Sequence, residues 1–216
     1  MLISGRGSNL QAVIDAAGDG RIASTIRVVV ANRADAAGLE RAQTAGIETV
    51  VMPHNDYASR DAYDRALVDA LRARGVGLVC LAGFMRLLGG TFCAAFPSAV
   101  LNIHPSLLPS FPGAHAQAQA IAHGVKVSGA TVHFVTPDLD AGPIILQSAV
   151  PVLDDDTADS LAARILVVEH QIYPQAIQHV LEGTVIVHGR KVTLRRRHPR
   201  AAKLFADDAT PVNETS

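Results

Sequence analysis

Apolar residues fall in short continuous blocks separated by stretches with helical spacing, and the two alternate from the first residue onward. Met1-Leu2-Ile3 reads as a strand stub, residues 4–10 as a glycine turn and residues 11–17 as a helix start. Residues 26–30 predict a second strand, 36–45 a helix closed by Gly46, and 47–52 a third strand stopped by Pro53. This β-α-β-α-β rhythm predicts a parallel sheet with right-handed crossovers. Ser59 is placed to cap a helix reaching about Arg74, and residues 78–82 form a central strand. Ala99-Val100-Leu101 ends another strand, with a loop expected to begin at Asn102. Further on, residues 116–123 predict a helix, 129–135 an alternating strand, and 144–150 its antiparallel return. Asp154-Asp155-Asp156-Thr157 caps a long helix over residues 158–183, acidic where the helix dipole is positive. Pro174 predicts a kink or break in it near Tyr173, and residues 185–194 read as a terminal hairpin around His188-Gly189-Arg190.

Composition narrows the class. The chain has 216 residues, 49% hydrophobic and 18% charged, so it can bury a full core as one α/β domain. A formal net charge of −1 argues against wholesale binding of nucleic acid or acidic membrane. Cys80 and Cys93 lack metal-type spacing, which fits a reduced protein and no metal. No run of eighteen apolar residues and no signal-type N-terminus is seen, so a soluble cytoplasmic protein is expected.

Candidate chemistry concentrates in residues 101–113, where three prolines stiffen the chain. Asn102 and His104 are two apart, so extended backbone projects an amide and a titratable imidazole from one face at a strand's carboxyl end. A buried histidine with only packing duties would have the same spacing. Gly5 and Gly7 let the backbone approach an anion at a helix start. Leu10 stands where a dinucleotide fingerprint has its third glycine, however, and a plain tight turn reads alike. Residues 83–88, with Arg86, either line a partly apolar pocket or start a helix on the sheet. Asp138 and Asp140 sit in an acidic turn that is either merely solvated or brings Asp140 to His104. Arg60 reads as a solvated first-turn residue, and Glu169 as either a ligand contact or a surface residue.

Five motifs in order give the chain a family likeness: Ser4-Gly5-Arg6-Gly7-Ser8-Asn9-Leu10, Ala82-Gly83-Phe84-Met85-Arg86, residues 102–112, His133-Phe134-Val135 through Asp140-Ala141-Gly142-Pro143, and Glu169-His170-Gln171-Ile172-Tyr173-Pro174. Together they resemble the phosphoribosylglycinamide formyltransferases, over residues 1–183. The resemblance implies a Rossmann-like, mostly parallel twisted sheet with helices on both faces and antiparallel additions in the C-terminal half. It implies formyl transfer from 10-formyltetrahydrofolate, as co-substrate, to glycinamide ribonucleotide in purine biosynthesis, by a monomer or homodimer. Asn102, His104 and Asp140 match the family's catalytic trio. Gly7, Ser8 and Asn9 match its phosphate site, and Leu166, Val167, Val168 and Glu169 its contacts to the sugar and glycinamide end. The folate contacts fall on Arg60, Met85, Arg86, Leu87, Leu88 and Asn102, and on the pterin loop Thr136, Pro137, Asp138, Leu139 and Asp140.

The resemblance also implies one catalytic domain over residues 1–194, with the phosphate site in 1–98 and the folate and catalytic residues in 99–194. Residues 195–216 are expected to form a mobile basic, then polar, tail. The family's first strand usually carries more apolar residues than Met1-Leu2-Ile3, so a native chain a few residues longer is expected. Two other readings stay open: a formyltetrahydrofolate hydrolase, which takes water as acceptor, and a non-catalytic nucleotide-binding module.

Overall fold

Alternate residues of the apolar blocks turn to opposite faces of one sheet, and each face carries its own layer of helices. The structure is a computed structural model and describes residues 1–195; the predicted tail beyond Arg195 lies outside the described residues. In chain order the elements are β1 (Leu2–Ile3), α1 (Ser8–Gly18), β2 (Val28–Ala31), α2 (Gly38–Thr44), β3 (Glu48–Val51), α3 (Arg60–Arg72), β4 (Val79–Leu81) and α4 (Gly90–Ala95). They continue with β5 (Val100–His104), α5 (Ala116–Ala122), β6 (Val127–Phe134), β7 (Ile144–Pro151), α6 (Ala158–Leu181), β8 (Val185–His188) and β9 (Lys191–Leu194). Seven strands form one sheet in the order β3-β2-β1-β4-β5-β6-β7, the first five parallel and the last two antiparallel, while β8 and β9 pair only with each other.

Ile3, Val29, Ala31, Cys80, Leu101 and Ile103 enter a core shared with α1, α2, α5 and α6. Leu2, Val28, Val30, Val79, Leu81 and Val100 enter the other, beneath α3 and α4. Burial on both faces is why these strands read as unbroken apolar runs. Both halves of the chain thus share one sheet. β1 is central: the Met1 carbonyl accepts from Val30 N–H and the Leu2 carbonyl from Ala82 N–H, each at 2.9 Å.

Two expectations are corrected, and one open alternative is decided. The chain does not leave the sheet at Asn102: β5 continues to His104, because β6 pairs with it through Asn102–His133 and His104–Thr131. α6 runs unbroken through Pro174. Leu161 and Ile165 before the proline, and Tyr173, Ala176 and Ile177 near or after it, all bury in one core. Each large apolar side chain contributes about 1.5–3 kcal/mol, enough together to outweigh the roughly 3 kcal/mol that an interior proline costs. Residues 83–88 form a loop rather than a helix start, and helix α4 follows them where none was predicted. Gly89 at its cap, with Gly90 and Thr91 in its first turn, hides the pattern, and only Phe92 is buried. The predicted caps hold: Ser59 accepts from Ala62 N–H at 3.1 Å, and Thr157 forms a reciprocal capping box with Ser160.

Candidate functional site

Strand order reverses between β1 and β4, since β1 leads through α1 to β2 on one side while β4 and β5 lie on the other. Loops leave such a reversal in opposite directions and open a crevice at the strands' carboxyl ends. Three predicted segments emerge there from neighbouring strands: the glycine turn after β1, residues 83–89 after β4, and Asn102 and His104 on β5. The first two are tied together, because the buried Ser4 hydroxyl accepts from Met85 N–H at 2.8 Å.

Gly7 caps α1 with φ 72° and ψ 27°, a left-handed conformation that glycine adopts without penalty. Ser8 and Asn9 open the helix. Asn9 Nδ2 donates to Glu169 Oε2 at 2.7 Å, so α6 reaches the turn directly. Glu169 is a buried residue, 6% exposed, and burial pushes its carboxyl up to about 7 against the opposing Asn9 donation. Of the other predicted positions on this turn of α6, Leu166 and Val168 are half-buried, whereas Val167 is 58% exposed and has no role visible here.

The predicted trio converges. His104 is 5% exposed; its Nε2 donates to the Phe111 carbonyl at 2.9 Å, and its Nδ1 lies 3.4 Å from Asp140 Oδ2. Both ring nitrogens face oxygen acceptors, which fixes the plane of the ring. Asp140 Oδ2 also accepts from Gly113 N–H at 2.8 Å. Burial raises the Asp140 carboxyl, but the His133 ring, the Gly113 N–H and the charge of His104 together outweigh that and hold it below the usual range. Asp140 (φ 48°) and Phe111 (φ 54°) both occupy the left-handed region. Such strain, about 1–3 kcal/mol per residue, clusters at functional sites. Here it turns a carboxylate and a carbonyl toward the two sides of one imidazole.

No role was assigned to His133 from the sequence, yet it joins the cluster. Its Nδ1 donates to the Phe134 carbonyl at 2.9 Å, and its Nε2 faces both Asn102 Nδ2 at 3.2 Å and Asp140 Oδ1 at 3.6 Å. That ring therefore orients the Asn102 amide and leaves its second N–H for a ligand. Its sequence signals were its place on the strand that pairs with β5 and its lead of the His133-Phe134-Val135 motif.

The predicted folate contacts divide. Met85, Leu87 and Leu139 expose apolar side chains at 75%, 42% and 56%, a surface that fits a flat apolar ring. Leu88 instead points into the core at 2% exposed. Thr136 is half-buried, and Pro137 and Asp138 are exposed on the turn that ends in Asp140. Arg60 is exposed on the first turn of α3, as the solvated reading had it, but it flanks a feature absent from the sequence reading. Asp64, 1% exposed, accepts from Gly89 N–H at 2.7 Å and thereby fixes the end of the 83–89 loop. Burial raises the Asp64 carboxyl, opposed by Gly89 and by the guanidinium groups of Arg60 and Arg86. Among the described residues no cluster of three or more His, Cys, Asp or Glu could hold a metal ion, and no helix is long and apolar enough to cross a membrane.

Residues 1–177 match the formyl transferase family. The chain is 47% identical over 188 residues to phosphoribosylglycinamide formyltransferase of Escherichia coli strain K12, covering 87% of this chain and 89% of that protein. It is 50% identical over 185 residues to the human trifunctional purine biosynthetic protein adenosine-3, covering 86% of this chain but spanning only 18% of that much longer protein. Among solved structures, glycinamide ribonucleotide transformylase 1 of Symbiobacterium toebii superposes with a TM-score of 0.88 at 56% identity, over 89% of this chain and 91% of that one.

Proposed function

The chain belongs to the formyl transferase family, and from that premise we propose that it transfers the formyl group of 10-formyltetrahydrofolate to the amine of glycinamide ribonucleotide, in de novo purine biosynthesis in the cytoplasm. The observation that carries the reading is the convergence of Asn102, His104 and Asp140 beside both the glycine turn and the exposed apolar Met85 and Leu87. Residues 1–194 act as one catalytic unit, with the phosphate turn contributed by the first half and the trio by the second.

The N–H groups of Gly7, Ser8 and Asn9 receive the ribonucleotide phosphate at the positive end of α1. Glu169, one residue-pair away through Asn9, accepts from the polar groups of the sugar and glycinamide end. Met85, Leu87, Leu139 and the 136–140 turn hold the folate, with Arg60 and Arg86 available for its carboxylates. The folate supplies an electrophilic formyl carbon.

As the amine attacks, negative charge grows on the formyl oxygen, and fixed donors there lower the barrier most. The free N–H of Asn102 is one donor, held in place by His133. His104 is the second, once its Nε2–H turns from the Phe111 carbonyl to the substrate oxygen. The attacking nitrogen must also lose a proton and the departing folate nitrogen gain one; His104, donating through both ring nitrogens, gives its Nε2 proton to the folate nitrogen as general acid and is restored by the proton the amine releases. Asp140 holds His104 in orientation through Nδ1.

Absorbance-monitored release of deformylated folate, with and without glycinamide ribonucleotide, tests the proposal. Release only with the ribonucleotide, matched by formylated product, supports it. Release without the ribonucleotide establishes the hydrolase, and no release from folded protein favours the binding module.

A further inference from the structure

The turn assigned to the ribonucleotide phosphate is not shaped by its own residues alone. Gly5, Arg6 and Gly7 rest against the first turns of α2, a helix that contributes nothing to the trio or the folate surface. Gly38 N–H donates to the Gly5 carbonyl at 3.0 Å, and Arg41 Nε donates to the Arg6 carbonyl at 3.0 Å. Arg41 Nη1 also reaches Gln11 Oε1 on α1 at 3.4 Å, so one guanidinium braces the turn and the helix that follows it.

The backbones themselves touch. A Cβ on Gly7 would lie 2.6 Å from Gly38 Cα, and a Cβ on Gly38 would lie 2.7 Å from Ile3 Cδ1, 3.1 Å from Gly7 Cα and 3.3 Å from the Gly5 carbonyl. Two glycines face each other because no side chain fits between turn and helix.

A trans peptide is planar, with its C=O and N–H pointing in opposite directions. Holding the Gly5 carbonyl against α2 therefore aims the Arg6 N–H away from α2. Holding the Arg6 carbonyl aims the Gly7 N–H the same way. We propose that Gly38 and Arg41 are positioning residues that orient the peptide planes of the phosphate turn, so that its N–H groups face the anion before it binds. This rests on the reading of that turn as the ribonucleotide phosphate site. Neither residue is required to touch substrate, and pre-aimed donors bind more tightly because the anion need not order them.

The test is steady-state kinetics of Arg41→Met, Arg41→Lys, Gly38→Ala and the Gly38→Ala/Arg41→Met double variant, with inorganic phosphate as a competitive inhibitor against the ribonucleotide. Wild-type transfer that depends on the ribonucleotide is established first; if it is absent, the functional reading fails. With it present, Arg41→Met is expected to raise both the KM for ribonucleotide and the inhibition constant for phosphate about three- to tenfold, the worth of one hydrogen bond. The KM for the folate should stay within twofold. Arg41→Lys should recover part of the loss, because an ammonium can still donate to the Arg6 carbonyl. Gly38→Ala should move the same two constants with the Arg41 charge intact, and the double variant should fall short of the product of the single effects, since both act on one turn. If Gly38→Ala does not fold, the two Arg41 variants and the phosphate constant decide alone. Unchanged ribonucleotide and phosphate constants in folded Arg41→Met overturn the proposal, as does an equal rise in both substrates' KM or a fully multiplicative double variant.

Discussion

Replacing Glu169 by Gln removes a proton-binding site from the interior while leaving an oxygen to accept from Asn9. In the unfolded chain this carboxyl titrates near its ordinary 4.5, whereas burial in the fold pushes it to about 7. At about 1.4 kcal/mol per tenfold change in proton affinity, ionised Glu169 costs the native state about 3 kcal/mol. The sign follows from the proton count. Between pH 4.5 and 7 the folded protein keeps a proton that the unfolded chain has lost, so stability falls as pH rises through that window and levels off above it. A glutamine cannot ionise and escapes this loss. Glu169→Gln should therefore be within about 1 kcal/mol of wild type at pH 5 and about 3 kcal/mol more stable relative to wild type at pH 8. Urea unfolding of both proteins at the two pH values, compared as a difference of differences, isolates the one group from all others. A stability gap that does not change between pH 5 and pH 8 refutes the reasoning, because it means the native carboxyl titrates where the unfolded one does. In transfer assays the same variant should bind ribonucleotide more weakly: the carboxylate that costs stability above pH 7 is the acceptor proposed for the substrate.

Asn102→Ala and His104→Ala should each lower kcat/KM for formyl transfer by about 10²–10³ without loss of fold, and near-normal turnover by either folded variant contradicts its role as an oxyanion donor. His133→Leu should lower kcat about tenfold while leaving both KM values within about twofold, because the variant loses the ring that positions the Asn102 amide and the Asp140 carboxylate; a change confined to KM would show that His133 contacts substrate instead. Gly142→Ala should cost about 3 kcal/mol or more by urea unfolding, since the added Cβ meets the Phe134 carbonyl, which is backbone and cannot swing aside.

The alternating apolar blocks were enough to specify the α/β class, the parallel start and the antiparallel finish, because burial on one or two faces leaves its period in the sequence. Ser59 and Thr157 were legible as caps for an equally local reason: a cap satisfies backbone donors within three residues of itself. Asn102 and His104 were legible as a pair because their spacing matches the strand repeat. Asp140 was read as the carboxylate for His104 through the family resemblance, while its place in an acidic turn alone fitted a solvated residue equally well, and the fold brought it to the imidazole.

What the sequence left open depends on contacts between residues far apart in the chain. His133 orients Asn102 only because β6 pairs with β5 in that register, and Glu169 reaches Asn9 across 160 positions because α6 packs on α1. Asp64 looked like one more polar helix residue until α3 folded over Gly89. Gly38 looked like an unremarkable helix start until Gly7 came against it. Hydrophobic period is a property of neighbours along the chain, so a sequence carries it openly. Which polar groups meet is fixed by strand order, register and helix packing, and these exist only once the apolar faces have closed on one another.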